Sequence, residues 1–276
     1  MASRRNSGEP RSPQWSRRKM LTLLAGAGLA VAVLAAGVVL AVVHAVHPTS
    51  GHAADVTSGD SVGSAAGSVT DLTSLEDELA ARAMPVVSES AAHPGPVSVR
   101  DPGAPIELPP ATSTGPAGVP TGFPHTPEGA LAQLAAIDRS ALQSGSLVGA
   151  RAVIQDWAVP GGPTTMSWSG VRAVGALLEG AGLSGGGSAR LAVVLTPLMG
   201  QIKGSVGPDF VVPCVDFELD VTLQQTARGA VADCQRMVWR TDRWLIGPGA
   251  EPAGPPSVWP GTDLAISVGY RDLRHG

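Results

Sequence analysis

Residues 215–239 read VDFELDVTLQQTARGAVADCQRMVW, and this stretch decides the fold. Apolar and charged residues alternate on both sides of a glycine-bearing turn, which is the period of strands with one buried face. A three-residue turn at residues 227–229 would join the two alternating runs. The stretch therefore predicts a long antiparallel hairpin.

This turn sets a register that pairs apolar residues with each other on one face of the hairpin and acidic with basic residues on the other. Agreement of both faces on one register is stronger evidence than alternation alone. On the apolar face, the predicted core residues are Phe217, Leu219, Met237 and Trp239, with Phe217 opposite Trp239 and Leu219 opposite Met237. On the charged face, the predicted cross-strand ion pairs are Asp220 with Arg236 and Asp216 with Arg240. The apolar face should lie under helices, and the charged face should look outward or line a shallow groove.

Three short helices are predicted before the hairpin. Thr126 is a good N-cap, Pro127 suits the first helical position, and the first helix should end near Gly145. The second helix spans residues 146–158 and the third spans residues 167–182. The second should bury Val148, Ala152 and Val153, and the third should bury Val171, Val174, Leu177 and Leu178.

A β-branched strand from Ala189 leads into the hairpin. Helices first and strands afterwards predict an α+β fold, with about three helices packed on a curved antiparallel sheet. Of the 276 residues, 35 are Gly and 24 are Pro, against 3 Phe and 1 Tyr, so one modest domain is expected. It spans residues 122–276, with an irregular tail from about residue 248.

The N-terminal part predicts a membrane anchor. A basic segment, residues 1–19, precedes an apolar run from Met20 to Val46 that contains no charged residue. About 20 apolar residues cross a bilayer, and basic residues favour the cytoplasmic side. A cleaved signal peptide is the alternative, but its apolar region is usually only about 7 to 15 residues long. We therefore expect a single-pass protein whose C-terminal domain lies outside the cytoplasmic membrane.

Residues 47–121 are rich in Pro, Gly, Ser and Ala, and they predict a disordered linker. Within it, residues 71–84 could form a transient helix or a segment that docks a partner. His44, His47 and His52 do not make a convincing metal site, because no carboxylate or cysteine accompanies them closely. The net charge of -4 and the pI near 5.8 argue against nucleic acid as a partner.

The order of elements, the long hairpin and the ending MVWRTDRWLIGPG resemble the cone-shaped fold typified by nuclear transport factor 2. With the anchor and linker, the whole chain resembles single-pass scaffold proteins of bacterial conjugation and type IV secretion machines. The composition suggests an actinobacterium. This resemblance implies a non-catalytic protein that docks other membrane or secretion-machine proteins, either as a monomer or as a homo-oligomer.

The alternative is a membrane-tethered cone domain that binds or transforms a small molecule. Of the carboxylates in the hairpin, only Asp233 falls on the apolar side, near the turn, and it is the one catalytic candidate considered. No catalytic, cofactor-binding or metal-binding residue is predicted. An enclosed pocket with convergent polar groups would favour this alternative, and a filled or shallow interior would favour docking.

Two arguments about Cys214 and Cys234 conflict. An oxidising compartment outside the membrane favours a disulfide. In the predicted register, however, the two cysteines lie roughly 26 Å apart along the hairpin, whereas a disulfide needs Cα atoms within about 7 Å. A disulfide is compatible with the predicted register only if the chain near Pro213 leaves the hydrogen-bonded ladder of the hairpin and folds back. The pairing stays open at this point.

Overall fold

The computed structural model describes residues 67–276, with side chains from residue 71 onward. The described chain is an α+β protein. The helices are α1 (Gly67–Ala81), a 3-10 helix (Glu89–Ala92), α2 (Pro127–Gln143), α3 (Leu147–Trp157), α4 (Ser169–Gly180) and α5 (Asp263–Ser267). The strands are β1 (Ile106–Leu108), β2 (Ser113–Thr114), β3 (Pro120–Thr121), β4 (Ala192–Val206), β5 (Phe210–Thr222), β6 (Thr226–Cys234), β7 (Met237–Arg240), β8 (Arg243–Ile246) and β9 (Arg271–His275).

The main sheet has the strand order β1-β9-β4-β5-β7-β8, and β6 also pairs with β5. Within it only the pair of β1 with β9 is parallel, so the sheet is mixed but mostly antiparallel. The long strand β4 has register shifts at residues 197–199 and 202–204. Such bulges bend a strand and increase its twist, so they help to curve the sheet.

The helices begin where the capping residues predict. The Thr126 hydroxyl accepts a hydrogen bond from the Gly129 amide at 3.1 Å, and Ser146 caps α3 in the same way. The predicted stripe of α4 is confirmed, because all four of its members are buried. The predicted inward face of α3 is wrong at Val148, which is 73% exposed, and at Ala152, which is also exposed; of the three predicted residues only Val153 is buried. The residues that α3 buries are Ala150, Val153, Ile154 and Trp157.

The hairpin exists, but its predicted register is wrong. Thr222 pairs with Thr226, so the turn lies at residues 223–225 rather than 227–229. Phe217 consequently opposes Val231 instead of Trp239. The error shifts every partner by eight residues. Because an even shift keeps each side chain on its own face, the alternation of the sequence fits both registers equally well.

The new register decides the cysteine question. Cys214 pairs directly with Cys234 across the two strands, with 4.1 Å between their Cα atoms, and the two residues form a disulfide. The chain does not fold back at Pro213, as the predicted register would have required. It continues along the same edge of β5, where Val211 pairs with Met237 of β7.

The predicted ion pairs on the charged face do not form. Arg228, rather than Arg236, contacts Asp220, with 3.0 Å between Nε and Oδ1, and it also pairs with Glu218. Arg236 is buried and reaches Asp77 of α1 at 2.7 Å. The remaining predicted partners are also apart: Asp216 is fully buried, whereas Arg240 is exposed.

The hairpin face that the sequence predicts to look outward is largely covered by the C-terminal part of the chain. Residues 247–262, between β8 and α5, are called the strap below. The Ala232 amide of β6 donates a hydrogen bond to Ser257 of the strap at 3.0 Å. Tyr270, beyond α5, is fully buried and donates its hydroxyl to the Pro256 carbonyl. This part of the hairpin is therefore neither a solvent-facing nor a binding surface.

On the apolar face, Phe217, Leu219 and Met237 are buried, with at most 1% of each residue exposed. Trp239 is only partly buried. Its ring stacks on His125 with 4.4 Å between the ring centroids, and it meets Trp244 edge-on. Trp239 thus lies at the margin of the core rather than within it.

The predicted linker is wrong over its described part, from residue 67 to residue 121. Lys203 donates to the Ala80 carbonyl at the end of α1, and the Trp157 indole donates to the Pro116 carbonyl. The Trp259 amide donates to Ala91 at 2.7 Å. This segment supplies strand β1 of the main sheet, and its buried residues join the core of the domain; they are Leu79, Ala80, Ala92, Ile106, Leu108 and Val119.

The predicted anchor, Met20 to Val46, the three N-terminal histidines and the first part of the linker lie outside the described residues. Within residues 67–276, no helix is both long and apolar enough to cross a membrane.

Candidate functional site

A small cavity lies between helices α2 and α4 and the sheet. Its volume is about 20 Å³, which is room for a single water molecule. The residues that line it are mostly apolar, with three polar exceptions, and they are Asp138, Leu142, Ser169, Gly170, Ala173, Leu195, Phe217, Val231, Ala232 and Asp233. Two carboxyl groups therefore share an apolar cavity that is too small for an organic substrate.

Asp138 reaches the cavity from the buried face of α2. It is only 3% exposed, and its Oδ2 atom has no hydrogen-bond partner among the described residues. Burial raises the pKa of Asp138 well above its usual value, and the neighbouring carboxyl groups of Asp233 and Glu251 raise it further. Because an ionised carboxylate is costly in such surroundings, burial favours the protonated form of Asp138.

Asp233 enters the cavity from β6. Gln235 donates to its Oδ2 at 2.9 Å, and the Ser169 hydroxyl lies 3.5 Å from its Oδ1. Burial and the Glu251 carboxylate raise the pKa of Asp233 to about 7, although these donors and the Cys234 amide favour the charged form. Asp233 can therefore change its charge near neutral pH.

Glu251, in the strap, binds to Ser169 beside the cavity. It accepts two hydrogen bonds from Ser169, the first residue of α4: one from the backbone amide at 2.8 Å and one from the hydroxyl at 2.7 Å. Arg172, one turn further along α4, contacts its other oxygen at 3.2 Å. Glu251 thus binds to the N-terminus of a helix, where backbone amides and the helix dipole favour a negative charge.

Gly170 allows the ring of Trp168 to pack against the first turn of α4. A Cβ atom at this position would lie 2.7 Å from the ring of Trp168, so any other residue would displace that buried ring. Trp168 packs beneath the first turn of α4, and its indole nitrogen has no hydrogen-bond partner within the described chain. The local sequence SWSG therefore fixes the position of Ser169 beside both Asp233 and Glu251.

Chemically, the site is a cluster of three carboxyl groups: burial raises the pKa of Asp138, the pKa of Asp233 is about 7, and Glu251 forms a salt bridge with Arg172. Pairs of carboxyl groups with separated pKa values are typical of acid–base catalysis. Catalysis also requires that a substrate reach them, and the strap and the apolar walls leave room only for water. In the closed form the cluster can bind and release protons, but it cannot act on a larger molecule.

Of the residues singled out from the sequence, the catalytic candidate Asp233 and the predicted core residue Phe217 line this cavity. Asp138, Ser169 and Glu251 were missed. A signal for Asp138 existed: it lies four residues after Leu134 on the apolar stripe of α2, where a carboxylate is out of place. Glu251 carried no comparable signal, because its position depends on how an irregular strap returns to the domain.

A second buried acid lies on the opposite face of the hairpin. Burial raises the pKa of Asp216 well above its usual value, while the Val258 amide lowers it only partly. Neither of its oxygens has a hydrogen-bond partner of good geometry among the described residues. Burial, together with the nearby carboxyl groups of Asp216 and Asp233, also raises the pKa of Tyr270.

A larger concavity of about 200 Å³ lies where β9 separates from β4, beside α2. Its walls are mainly proline and alanine, with Phe123 at the base and Arg139 and His275 at the rim. It contains no carboxylate. Within residues 67–276, no group of three or more His, Cys, Asp or Glu side chains is arranged to hold a metal ion.

Comparisons with known proteins do not identify the chain: no family model matches it, and neither the curated proteins nor the solved structures include a significant match.

Proposed function

We propose that the chain is a membrane-anchored, non-catalytic docking protein whose α+β domain lies outside the cytoplasmic membrane, in a conjugation or secretion assembly. The observation that carries the proposal is the closed interior. The cavity between helices and sheet holds about one water molecule, and Glu251 binds to Ser169 at its edge. A domain that is filled in this way offers partners its surface rather than a pocket.

The disulfide supports the proposed compartment. Cys214 and Cys234 are both buried and bonded to each other, and stable disulfides persist mainly in oxidising compartments. The uncharged run from Met20 to Val46 provides the proposed anchor, with the basic residues 1–19 inside. On this proposal the fold is a variant of the nuclear transport factor 2-like cone, with the strap closing the cone.

Exposed valines in the segment before the domain support a docking role. Val97 is 79% exposed and Val99 is fully exposed. Ser98 between them points the other way: its amide donates to the Gly261 carbonyl at 2.7 Å, and its hydroxyl contacts Asp263. The segment is therefore held to the domain in extended form, with two apolar side chains presented to the surroundings.

The test is photo-crosslinking in cells of the natural host. A photo-reactive amino acid is placed at Val97 or Val99, with Val148 of α3 as a control of similar exposure on another element. We expect a discrete adduct with another membrane or secretion-machine protein from position 97 or 99. If neither position 97 nor position 99 gives an adduct that the control position 148 lacks, under conditions in which the domain is folded and oxidised, the docking role is contradicted.

A second candidate function rests on the carboxyl cluster itself. If the strap leaves the mouth of the cavity, Asp138, Asp233 and Ser169 become the polar groups of an open, apolar-walled pocket. Acid–base chemistry on a small molecule would then be feasible, because Asp233 has a pKa of about 7. Binding of a small molecule that is lost in Asp233→Asn and retained in Glu218→Gln would favour this candidate.

A further inference from the structure

The strap is attached over the carboxyl cluster by few contacts. On either side of Glu251, the Gly249 amide donates to the Gly161 carbonyl at 2.9 Å, and the Ala253 amide donates to the Ala80 carbonyl at 3.0 Å. Between these two bonds, the side-chain contacts of the strap with α4 are those of Glu251 with Ser169 and Arg172. Pro252 is buried beside Glu251, and Gln235 lies 3.5 Å from Oε1 of Glu251, so the contacts of Glu251 are the part of this attachment that responds to charge.

Three carboxyl groups meet here, and one guanidinium group faces them. Asp138 comes from α2, Asp233 from β6 and Glu251 from the strap, while Arg172 comes from α4. Arg236 lies beside the strap at Gly249, but its charge is already paired with Glu76 and Asp77 of α1. Asp216 and Tyr270, behind the sheet, add no positive charge.

This arrangement of charges leaves a negative excess unless protons are retained. If all three carboxyl groups were ionised, the cluster would carry two uncompensated charges in mostly apolar surroundings, which is strongly unfavourable. Asp138 also directs an unpartnered oxygen that is almost completely buried toward the cavity. A buried carboxyl oxygen that accepts no hydrogen bond is less costly when the carboxyl group is protonated, because the O–H can then donate a hydrogen bond.

We propose that Asp138 and Asp233 form a proton-binding site that controls whether the strap stays closed over the cavity. With both protons bound, Glu251 is the only charged carboxylate of the three, and Ser169 and Arg172 hold it. When Asp233 releases its proton to solvent, its carboxylate repels Glu251. The strap between residues 249 and 253 then opens, and water reaches the cavity. This inference concerns the closed interior and does not depend on the docking role.

Amide hydrogen exchange on the full chain in detergent tests the proposal. The amide exchange rates of residues 249–253 are measured at pH 5, 6, 7 and 8. Each rate is divided by the exchange rate of an unstructured peptide at the same pH, and this ratio gives the opening equilibrium. We expect the opening equilibrium so obtained to rise at least about tenfold between pH 5 and pH 7, since one proton or more is lost on opening. An opening equilibrium that is the same at pH 5 and pH 8 would overturn the proposal.

Two variants separate proton control from a merely structural role. Asp138→Asn combined with Asp233→Asn keeps the shapes of both side chains but removes both titrations. In this double variant, the opening equilibrium should change by less than about threefold over the same pH range, because neither side chain can lose a proton on opening. If this double variant retained the wild-type pH dependence, another group would be responsible and the proposal would fail.

Glu251→Gln gives a test of sign. Glutamine retains an oxygen that accepts from Ser169, but it loses both the repulsion by Asp233 and the attraction to Arg172. If repulsion opens the strap, this variant should open less than the wild type at pH 8, by at least about threefold, the equivalent of half a pKa unit. More frequent opening would show that the Arg172 salt bridge dominates and would overturn the proposal. Glu218→Gln, which faces Arg228 away from the cavity, is the matched control and should leave the opening unchanged.

Discussion

Replacing Asp233 by Asn should make the protein more stable at alkaline pH and leave its stability unchanged at acid pH. The substitution keeps the shape of the side chain and removes the ionisation: the amide oxygen can accept from Gln235 in place of Oδ2, and the amide nitrogen then faces the Ser169 hydroxyl, which can accept from it. The pKa of Asp233 rises from 3.8 to about 7 on folding, mainly because of burial. A pKa difference of this size corresponds to about 4 kcal/mol between the two protonation states.

The sign follows from proton binding. The folded state binds the Asp233 proton more tightly than the unfolded state does, so its stabilising contribution is fully present below about pH 3.8. It is lost progressively as the pH rises through about 7. The free energies of unfolding of wild type and Asp233→Asn should therefore agree near pH 4 and diverge by up to about 4 kcal/mol at pH 8. Asp138 and Asp216 also titrate abnormally, but they are present in both proteins.

The assay is urea unfolding of the oxidised, detergent-solubilised chain at pH 4, 5, 6, 7 and 8. Asp242→Asn serves as the control, because Asp242 is exposed and its variant should follow the wild type at every pH. The reasoning would be refuted if the curves of wild type and Asp233→Asn ran parallel across the whole pH range. In that case Asp233 would be ionised and well solvated in the folded protein.

Three further outcomes are expected. Replacing Cys214 and Cys234 together by Ala should lower the free energy of unfolding by about 3 kcal/mol, because the disulfide closes a loop of 20 residues; a loss under about 1 kcal/mol in urea unfolding would contradict this. Phe217→Ala should lower the free energy of unfolding by about 3 to 5 kcal/mol in the same assay because the ring is buried, whereas Glu218→Ala should lower it by under about 1 kcal/mol. Similar losses at both positions would mean that the hairpin faces are wrongly assigned. Arg236→Met leaves Asp77 without its partner and should release α1, so tryptic cleavage after Arg82 should accelerate about tenfold or more; unchanged cleavage would show that other contacts hold α1.

Local signals in the sequence were sufficient for the helices and for the existence of the hairpin. Thr126 and Ser146 cap helices because a side-chain oxygen can bond to a free backbone amide only a few residues away. The hairpin register is not local in this sense. Alternation cannot distinguish two registers that differ by an even number of residues, so the glycine at position 229 was mistaken for the turn. Placing Cys214 opposite Cys234 would have selected the correct register.

The two large errors, the linker and the outward face, have a common cause. Composition reports how much core a segment can build from its own residues, and residues 67–121 build little. It does not report whether such a segment lies against another surface, as the bond from Lys203 to Ala80 shows. In the same way, the composition of the strap did not indicate that it lies over Asp216. The partners of the carboxyl cluster come from α2, α4, β6 and the strap, so only the assembled fold reveals them.

The domain's proposed role depends first on its position outside the cytoplasmic membrane, and the state of its two cysteines in living cells tests that position most directly. Whole cells are quenched with acid, and free thiols are then labelled with an alkylating reagent that changes mobility on a gel, with and without prior reduction. The full chain should gain no label before reduction and two labels after it, because it contains only the bonded pair Cys214 and Cys234. A variant that lacks residues 1–46, retained in the cytoplasm, should gain two labels without reduction. Two free thiols in the full chain would contradict the account.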